Sequence, residues 1–501
     1  MFSFSKNSPL FYFSFILLII FISFKWISAL INTNKNSPPS PPRLPIIGNL
    51  HQLGLSPHRS LQALSRKHGP LMLMHLGSVP MLVASSPEAA KEIMKTHDLN
   101  FASRPKLRMA DILLYGSNDI TFSPYGEYWR QMKGIAVVHL LNNTRVQSFR
   151  QVRENEVALM IDTIKKSSGS LVDLNELFFQ LTNNIVCMAA LGRTYSGLKF
   201  ADVMDRFLHL LGVFNVGSYI PWLAWIDRLN GLEMKAHKVA KEFDDFLECV
   251  VAEHVNKRKW VDADQCGEDQ DLVDILLDVQ RDNATDFTVH RDIIKALILD
   301  VFVAGTDTTF GSLVWSTSEL IRHPRVMKKA QEEVTRTAQG RSMILEKDLE
   351  NMQYLKAIIK ETLRLHTPLP LLVPRESTKD VKLMGYNIPA GTQATVNAWA
   401  IGRDPSVWEE PEEFRPERFL NCSTDYKGLH FEFLPFGGGR RGCPGIPFAI
   451  VILELALANV LYKFDLALPD GVDGKDLDMS EKYGFTVHKK FPLLVEATSR
   501  F

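Results

Sequence analysis

Apolar and polar positions along this chain follow three successive patterns. Residues 10–31 are almost wholly apolar, broken only by Lys25 and a few serines. As a helix this run would extend roughly 33 Å, enough to span a bilayer. Lys25 sits near its end, where its stem can reach the headgroups, and Lys35 and Arg43 follow while only Lys6 precedes. That bias places the body on the cytoplasmic side. A cleaved leader is the rival reading, but no clear small-x-small cleavage site follows the run. Prolines then dominate 37–45, which predicts an extended, poorly hydrogen-bonded spacer and, so close to a membrane span, a hinge in preference to a ligand for SH3 or WW domains. From residue 50 onward helical periodicity takes over.

Within that body the pattern stays helical from 289 to 323, stopped by Pro324, and so long a helix would extend roughly 50 Å and cross the whole molecule. Leu355, Ile358, Ile359, Thr362, Leu363 and Leu365 line one side of a second helix, ended by Pro368. Strand-like stretches are short and occur at 71–75, 81–83, 381–383, 395–397 and 486–488. The acidic, Gly-containing stretch 262–271 reads as a surface loop, and neither a second linker nor an internal repeat is apparent. The expected organisation is an anchor at 1–31, a hinge at 32–49 and one domain at 50–501, mainly α with a minor β region.

Composition narrows the function. The 501 residues carry 57 basic and 57 acidic side chains, and a net charge of zero lacks the electrostatic footprint that nucleic-acid binding requires. The 46% hydrophobic content suffices for a large core. Cys187, Cys249, Cys266, Cys422 and Cys443 are odd in number, with no C-x-x-C pair; a reduced, cytosol-facing body is the simplest reading. The sequons at Asn142, Asn283 and Asn421 would then stay unmodified.

Residues 436–445 read Phe-Gly-Gly-Gly-Arg-Arg-Gly-Cys-Pro-Gly at the start of an apolar helix. A helix start and free backbone N–H groups can stabilise a thiolate at Cys443. A lone sulfur with no cysteine or histidine beside it argues against tetrahedral zinc or an iron–sulfur cluster. A buried structural cysteine is the common alternative, but it would not need this run of glycines and arginines. Phe436, Gly437, Gly439, Arg441, Cys443 and Gly445 resemble the haem-binding signature F-x-x-G-x-R-x-C-x-G of the cytochrome P450 monooxygenases at every defined position. The resemblance implies the fold of that family, haem b as cofactor and Cys443 as its axial ligand.

Other stretches extend the resemblance. Residues 304–309, Ala-Gly-Thr-Asp-Thr-Thr, interrupt the apolar run of the long helix, where Gly305 admits close approach by a ligand and the hydroxyls of Thr308 and Thr309 can bond carbonyls one turn back and distort the helix. They resemble the family's oxygen-activation motif, which implies proton delivery by Asp307 and Thr308. Glu361 and Arg364, three apart on one helix face, together with Arg418 of the Pro-Glu-Arg-Phe run, resemble the family's structural E-x-x-R and P-E-R-F triad. Trp129 and Lys133 resemble its W-x-x-x-R, which holds a haem propionate, except that lysine loses the planar fork. Arg130 either substitutes there or faces solvent on the side where a redox partner docks. Arg375 and Arg441 are the remaining candidates for the propionates.

No G-x-G-x-x-G opens a βαβ unit and no flavin pattern is present, so electrons must come from a partner. The resemblance implies NADPH–cytochrome P450 reductase in the same endoplasmic reticulum membrane. The family's substrate-recognition segments map onto 104–121, 207–219, 301–304, 367–373 and 484–485. There Leu113, Leu114, Ile120, Phe302 and Ala304, with Leu369, Leu371, Leu372, Val373 and Phe485, predict an apolar pocket for a small lipophile. The arrangement looks like plant microsomal A-type members acting on terpenoids, phenylpropanoids, coumarins, oximes or alkaloids. Two alternatives are a same-fold isomerase or dehydratase that needs neither O2 nor reductase, and a haem protein that only senses gas or carries electrons. The intact Asp307–Thr308 pair weighs against both.

Overall fold

The computed structural model describes residues 36–501 apart from 168, 196–199, 259–269 and 283–284. The expected anchor at 1–31, the first residues of the hinge, Cys266, Asn283 and most of the acidic stretch 262–271 lie outside the described residues. Strands β1 (Leu71–Leu76) and β2 (Val79–Ala84) pair antiparallel, Leu71 opposite Ala84 and Leu76 opposite Val79. The helices that build the site follow: α1 (Glu127–Ala136), α2 (Leu174–Leu191), α3 (Phe200–Gly212), α4 (Leu232–Arg258), α5 (Arg291–Arg322), α6 (Pro324–Ala338) and α7 (Gln353–Leu365). Strands β3 (Arg375–Glu376) and β4 (Gln393–Val396) complete a sheet of order β1-β2-β4-β3, in which β2 and β4 run parallel. Helix α8 (Ile446–Lys463) follows the cysteine loop, and β5 (Glu481–Lys482) pairs antiparallel with β6 (His488–Lys489).

Helix α5 is the axis of the molecule. Its 32 residues span about 48 Å, and it packs against α2, α4, α7 and α8. It buries polar residues as readily as apolar ones because their hydroxyls bond its own carbonyls: Ser312 to Thr308 at 2.8 Å, Thr317 to Leu313 at 2.9 Å and Ser318 to Val314 at 2.8 Å. Helix α7 has no cap of its own. The Glu333 carboxylate of α6 caps it from outside, accepting from the N–H groups of Tyr354 and Leu355 at 2.9 Å each. Among the described residues only α8 is long and apolar enough to cross a membrane, and it is a core helix, with 72% of that apolar stretch buried.

The described part of the proline run does not stand off from the body as a spacer would. The Pro39 carbonyl accepts from Leu73 N of β1 at 2.9 Å. The buried Asn49 amide donates to the carbonyls of Pro41 and Pro42 at 3.2 Å each, and its oxygen accepts from His75 N at 2.8 Å. Prolines lack donors, but their carbonyls are free to accept, and a sheet edge supplies the N–H groups.

Candidate functional site

The cysteine loop is shaped by its glycines and pinned by two arginines. Cys443 N donates to Phe436 O at 3.0 Å and Gly437 N to Leu434 O at 3.0 Å, which folds the loop back before α8 begins. Gly439 takes φ +67°, and a β-carbon there would collide with the Met94 carbonyl, so glycine is required. Arg441 donates to the carbonyls of Ala102 at 2.6 Å, Ile120 at 3.1 Å and Ser123 at 2.6 Å, and its guanidinium lies 4.2 Å from the centroid of the Trp129 ring. Arg375 donates to Gly438 O at 2.7 Å and lies 3.6 Å from Asp98.

Cys443 lines a large cavity, and its sulfur is open to it. Burial pushes its thiol pKa up, opposed by the Gly445 N–H and by the positive charge of Lys133. Ala304, Gly305, Asp307 and Thr308 of α5 line the same cavity. Thr308 Oγ1 donates to Ala304 O at 2.8 Å, as the sequence anticipates. The Thr309 hydroxyl finds no partner among the described residues, and α5 continues helical through the motif with no break.

Four cations line the rim: Lys133, Arg375 and Arg441, together with Arg104, which sequence reasoning missed. Arg104 donates to the carbonyls of Thr121, Val373 and Pro374 at 2.8 Å each. Burial depresses the pKa values of all four; Arg375 falls to about 10 and Arg441 to about 9. The like charge of Arg441 and Arg375 adds to the effect at Arg104, where Asp119 and Asp300 oppose it. Lys133 spends its amine on Arg440 O at 2.7 Å and lies over the Trp129 ring at 5.0 Å. Arg130 is different: it is exposed, pairs with Glu127 and does not reach the cavity.

Of the apolar candidates, Leu114, Ile120, Ala304, Leu369, Leu372, Val373 and Phe485 line the cavity. Leu113 and Phe302 do not: both are buried on the other face of their helices, Phe302 against the rings of Phe200, Phe243 and Phe246. Leu371 instead packs with the β1–β2 cluster. One polar residue in this wall, Asp300, was not anticipated. Asp300 Oδ1 accepts from Thr121 Oγ1 at 2.6 Å and Oδ2 from Ile120 N at 3.1 Å, tying the 104–121 segment to α5. Behind the loop, Glu361 accepts from Arg364 at 2.7 and 2.8 Å and from Arg418 at 3.0 Å, as the triad spacing anticipates.

These residues fit a haem. The only grouping of three metal-ligating side chains among the described residues is His254, Asp271 and Asp274, elsewhere in the fold, so Cys443 stands as a single sulfur. A bound metal cation removes the thiol proton that burial alone would retain. Carboxylates of a ligand would relieve the crowding of four rim cations. Gly445 leaves the sulfur uncovered, since even a β-carbon there would come 3.8 Å from it.

Comparison with known proteins gives concordant results. A family model described as cytochrome P450 matches residues 38–494. The chain is 58% identical over 484 residues to "Cytochrome P450 Tp4149" of Tanacetum parthenium, covering 97% of this chain and 96% of that one. It is 54% identical over 504 residues to a "3-beta-hydroxylase" of the same plant, covering 100% of both. A solved zebra fish cytochrome P450 with progesterone superimposes with a TM-score of 0.75 at 25% identity, over 89% of this chain and all of that one.

Proposed function

The chain belongs to the cytochrome P450 family, and from that premise we propose that it is a monooxygenase inserting one atom of O2 into a small lipophilic plant specialised metabolite, with electrons from NADPH delivered by NADPH–cytochrome P450 reductase. The observation that carries this reading is that the single sulfur of Cys443 and Ala304, Gly305 and Thr308 line one and the same cavity. The family and fold imply a haem with a thiolate ligand, and when bound it supplies the oxygen activation.

The chain's own residues have distinct tasks. Cys443 holds the iron, and Arg104, Lys133, Arg375 and Arg441 neutralise the propionates. Arg104, Arg375 and Arg441 are themselves held by backbone carbonyls, so their charges are oriented before the cofactor arrives. Asp307 and the Thr308 hydroxyl bring protons into the cavity. The apolar wall of Leu114, Ile120, Leu369, Leu372, Val373 and Phe485 excludes water and selects a lipophile. A terpenoid, phenylpropanoid or coumarin, oxime or alkaloid meets that requirement. The relative named 3-beta-hydroxylase favours hydroxylation as the outcome. Residues 1–31 would anchor the protein in the endoplasmic reticulum membrane in a single pass, with the catalytic body in the cytoplasm and the docked proline run holding the start of that body against the sheet edge.

Thr308→Ala tests the oxygen chemistry. The variant should still bind haem and substrate and consume NADPH, but yield less product per NADPH and more peroxide. A positioned proton donor contributes on the order of 10²–10⁴-fold, so unchanged coupling would reduce Thr308 to a hydroxyl that only bonds Ala304.

A further inference from the structure

Asp307 lies in the wall between two cavities. One is the apolar cavity onto which Cys443 opens; the other, of about 780 Å³, is bounded by α2, α3, α5 and the β5–β6 hairpin. The second is the more polar of the two, with Asn183, Asn184 and Gln180 of α2 among its lining. One water centre needs only about 10–15 Å³, so this cavity has ample room for a connected water cluster. Thr486 also belongs to both walls, whereas His488 belongs only to the polar side.

The Asp307 carboxylate is held on that polar side. Thr486 Oγ1 donates to Asp307 Oδ2 at 2.7 Å, and His488 Nε2 lies 3.0 Å from the same oxygen and 3.0 Å from Thr486 Oγ1. The imidazole occupies a slot that the sequence keeps open. It stacks on Phe310 at 5.5 Å, and a β-carbon at position 311 would come within 2.7 Å of His488 Nδ1, so Gly311 is what admits it. Nδ1 is buried with no hydrogen-bond partner among the described residues. Such an orphaned nitrogen opposes stability, which marks the arrangement as kept for something other than packing.

We propose that His488 and Thr486 are positioning residues that hold Asp307 towards the polar cavity, so that protons consumed in the apolar cavity enter from there and not past the substrate. This rests on the proton-delivery reading of Asp307 and Thr308. Only protons move: Asp307, once it has given a proton to the apolar side, is re-protonated from water on the polar side while the two side chains keep its oxygen in place. Burial works to lower the imidazole pKa, and the Asp307 carboxylate more than offsets it, leaving His488 above its ordinary value. The other charged groups around it are Asp205 and His209 of α3, Glu176 of α2, and Lys482, Lys489 and Lys490 of the hairpin. Lys482 is paired with Asp205, so Asp307 is the carboxylate that His488 answers to. The imidazolium–carboxylate pair dissolves as pH rises through the raised histidine pKa.

The test uses the full chain with haem and reductase. His488→Gln keeps an N–H donor but cannot carry charge. It should lower product per NADPH about tenfold, less than the 10²–10⁴ expected for loss of a donor itself; coupling in the wild type should fall with rising pH, and His488→Gln should abolish that fall. A second readout needs no turnover. Histidine NMR on the reduced carbon monoxide form should give His488 a pKa above about 6.5, dropping in Asp307→Asn. If His488→Gln keeps wild-type coupling and pH profile while Asp307→Asn loses coupling, the proposal is overturned and the role of Asp307 survives. If Asp307→Asn and Thr308→Ala are also fully coupled, both fall together. Should His488→Gln not fold, Thr486→Val removes the second bond to the same oxygen. Full coupling in that variant, with an unraised His488 pKa in the wild type, likewise overturns the proposal.

Discussion

Replacing Glu361 with glutamine removes a charge at the most enclosed ionic cluster among the described residues. Its carboxylate accepts from Arg364 Nε and Nη2 at 2.7 and 2.8 Å, from Arg418 Nε at 3.0 Å and from the Arg415 N–H at 2.8 Å. The side chains of Glu361 and Arg364 are 0% exposed and that of Arg418 only 6%, so no water replaces what is lost. Arg364 cannot turn away either, because Nη1 is fixed on the carbonyls of Gly402 and Pro411 at 2.6 Å each. Glu361→Gln would therefore leave two buried guanidinium groups facing an amide. Removing one member of a buried ion pair costs about 3–5 kcal/mol, a large share of the ~5–15 kcal/mol that typically separates folded from unfolded. The damage should reach the cysteine loop, since Phe419 beside Arg418 packs on Phe433 at 5.1 Å, and Phe433 precedes Leu434, whose carbonyl holds Gly437 N. Urea denaturation followed by circular dichroism should show a lowered midpoint, and purified protein should carry less haem. Glu127→Gln, which breaks the exposed Arg130 pair, is the control and should match the wild type. If the two variants were equally stable, the reasoning from burial would be refuted.

Arg441→Ala should lose more haem on purification than Lys133→Ala, because it also strips the donor from three carbonyls while Lys133 releases only Arg440 O; equal loss would contradict this. Glu319 is buried against His366 at 2.6 Å and His323 at 3.3 Å; burial alone would raise its pKa, but the two histidines bring it down to about 2. Its contribution to stability is thus present above the ordinary value of 4.5 and disappears as pH falls towards 2. Glu319→Gln should be less stable than the wild type at pH 7, and urea midpoints taken at successively lower pH below 4.5 should converge. Leu372→Ala should weaken the spectral response to a bound lipophile, whereas Leu113→Ala, outside the cavity, should leave it intact in folded protein.

Part of what the chain declared locally, the structure bears out, although of the strand expected at 486–488 only His488 belongs to one, and the helix runs undistorted through 304–309. The long helix expected at 289–323 runs from Arg291 to Arg322, because its boundaries are set by a proline and by uninterrupted periodicity. Strand Val381–Leu383 falls where expected. Local pattern failed where several turns of one helix compete for one face: Leu113 and Phe302 are apolar and near the right segments, but the helical twist points them into the core. It also failed where partners lie far apart in sequence. His488 is 181 residues from Asp307, and Arg104 reaches Val373 across 269; no spacing rule links them. The docking of the proline run was equally hidden, because it depends on which sheet edge is free.

The most direct test of the account is the spectrum of the reduced protein with carbon monoxide. Wild-type protein should give the absorption typical of a thiolate-ligated haem, and Cys443→Ser should lose it. Cys187→Ser, Cys249→Ser and Cys422→Ser should keep it, since none of those sulfurs lines the cavity. A thiolate spectrum that persists in Cys443→Ser would contradict the central claim outright.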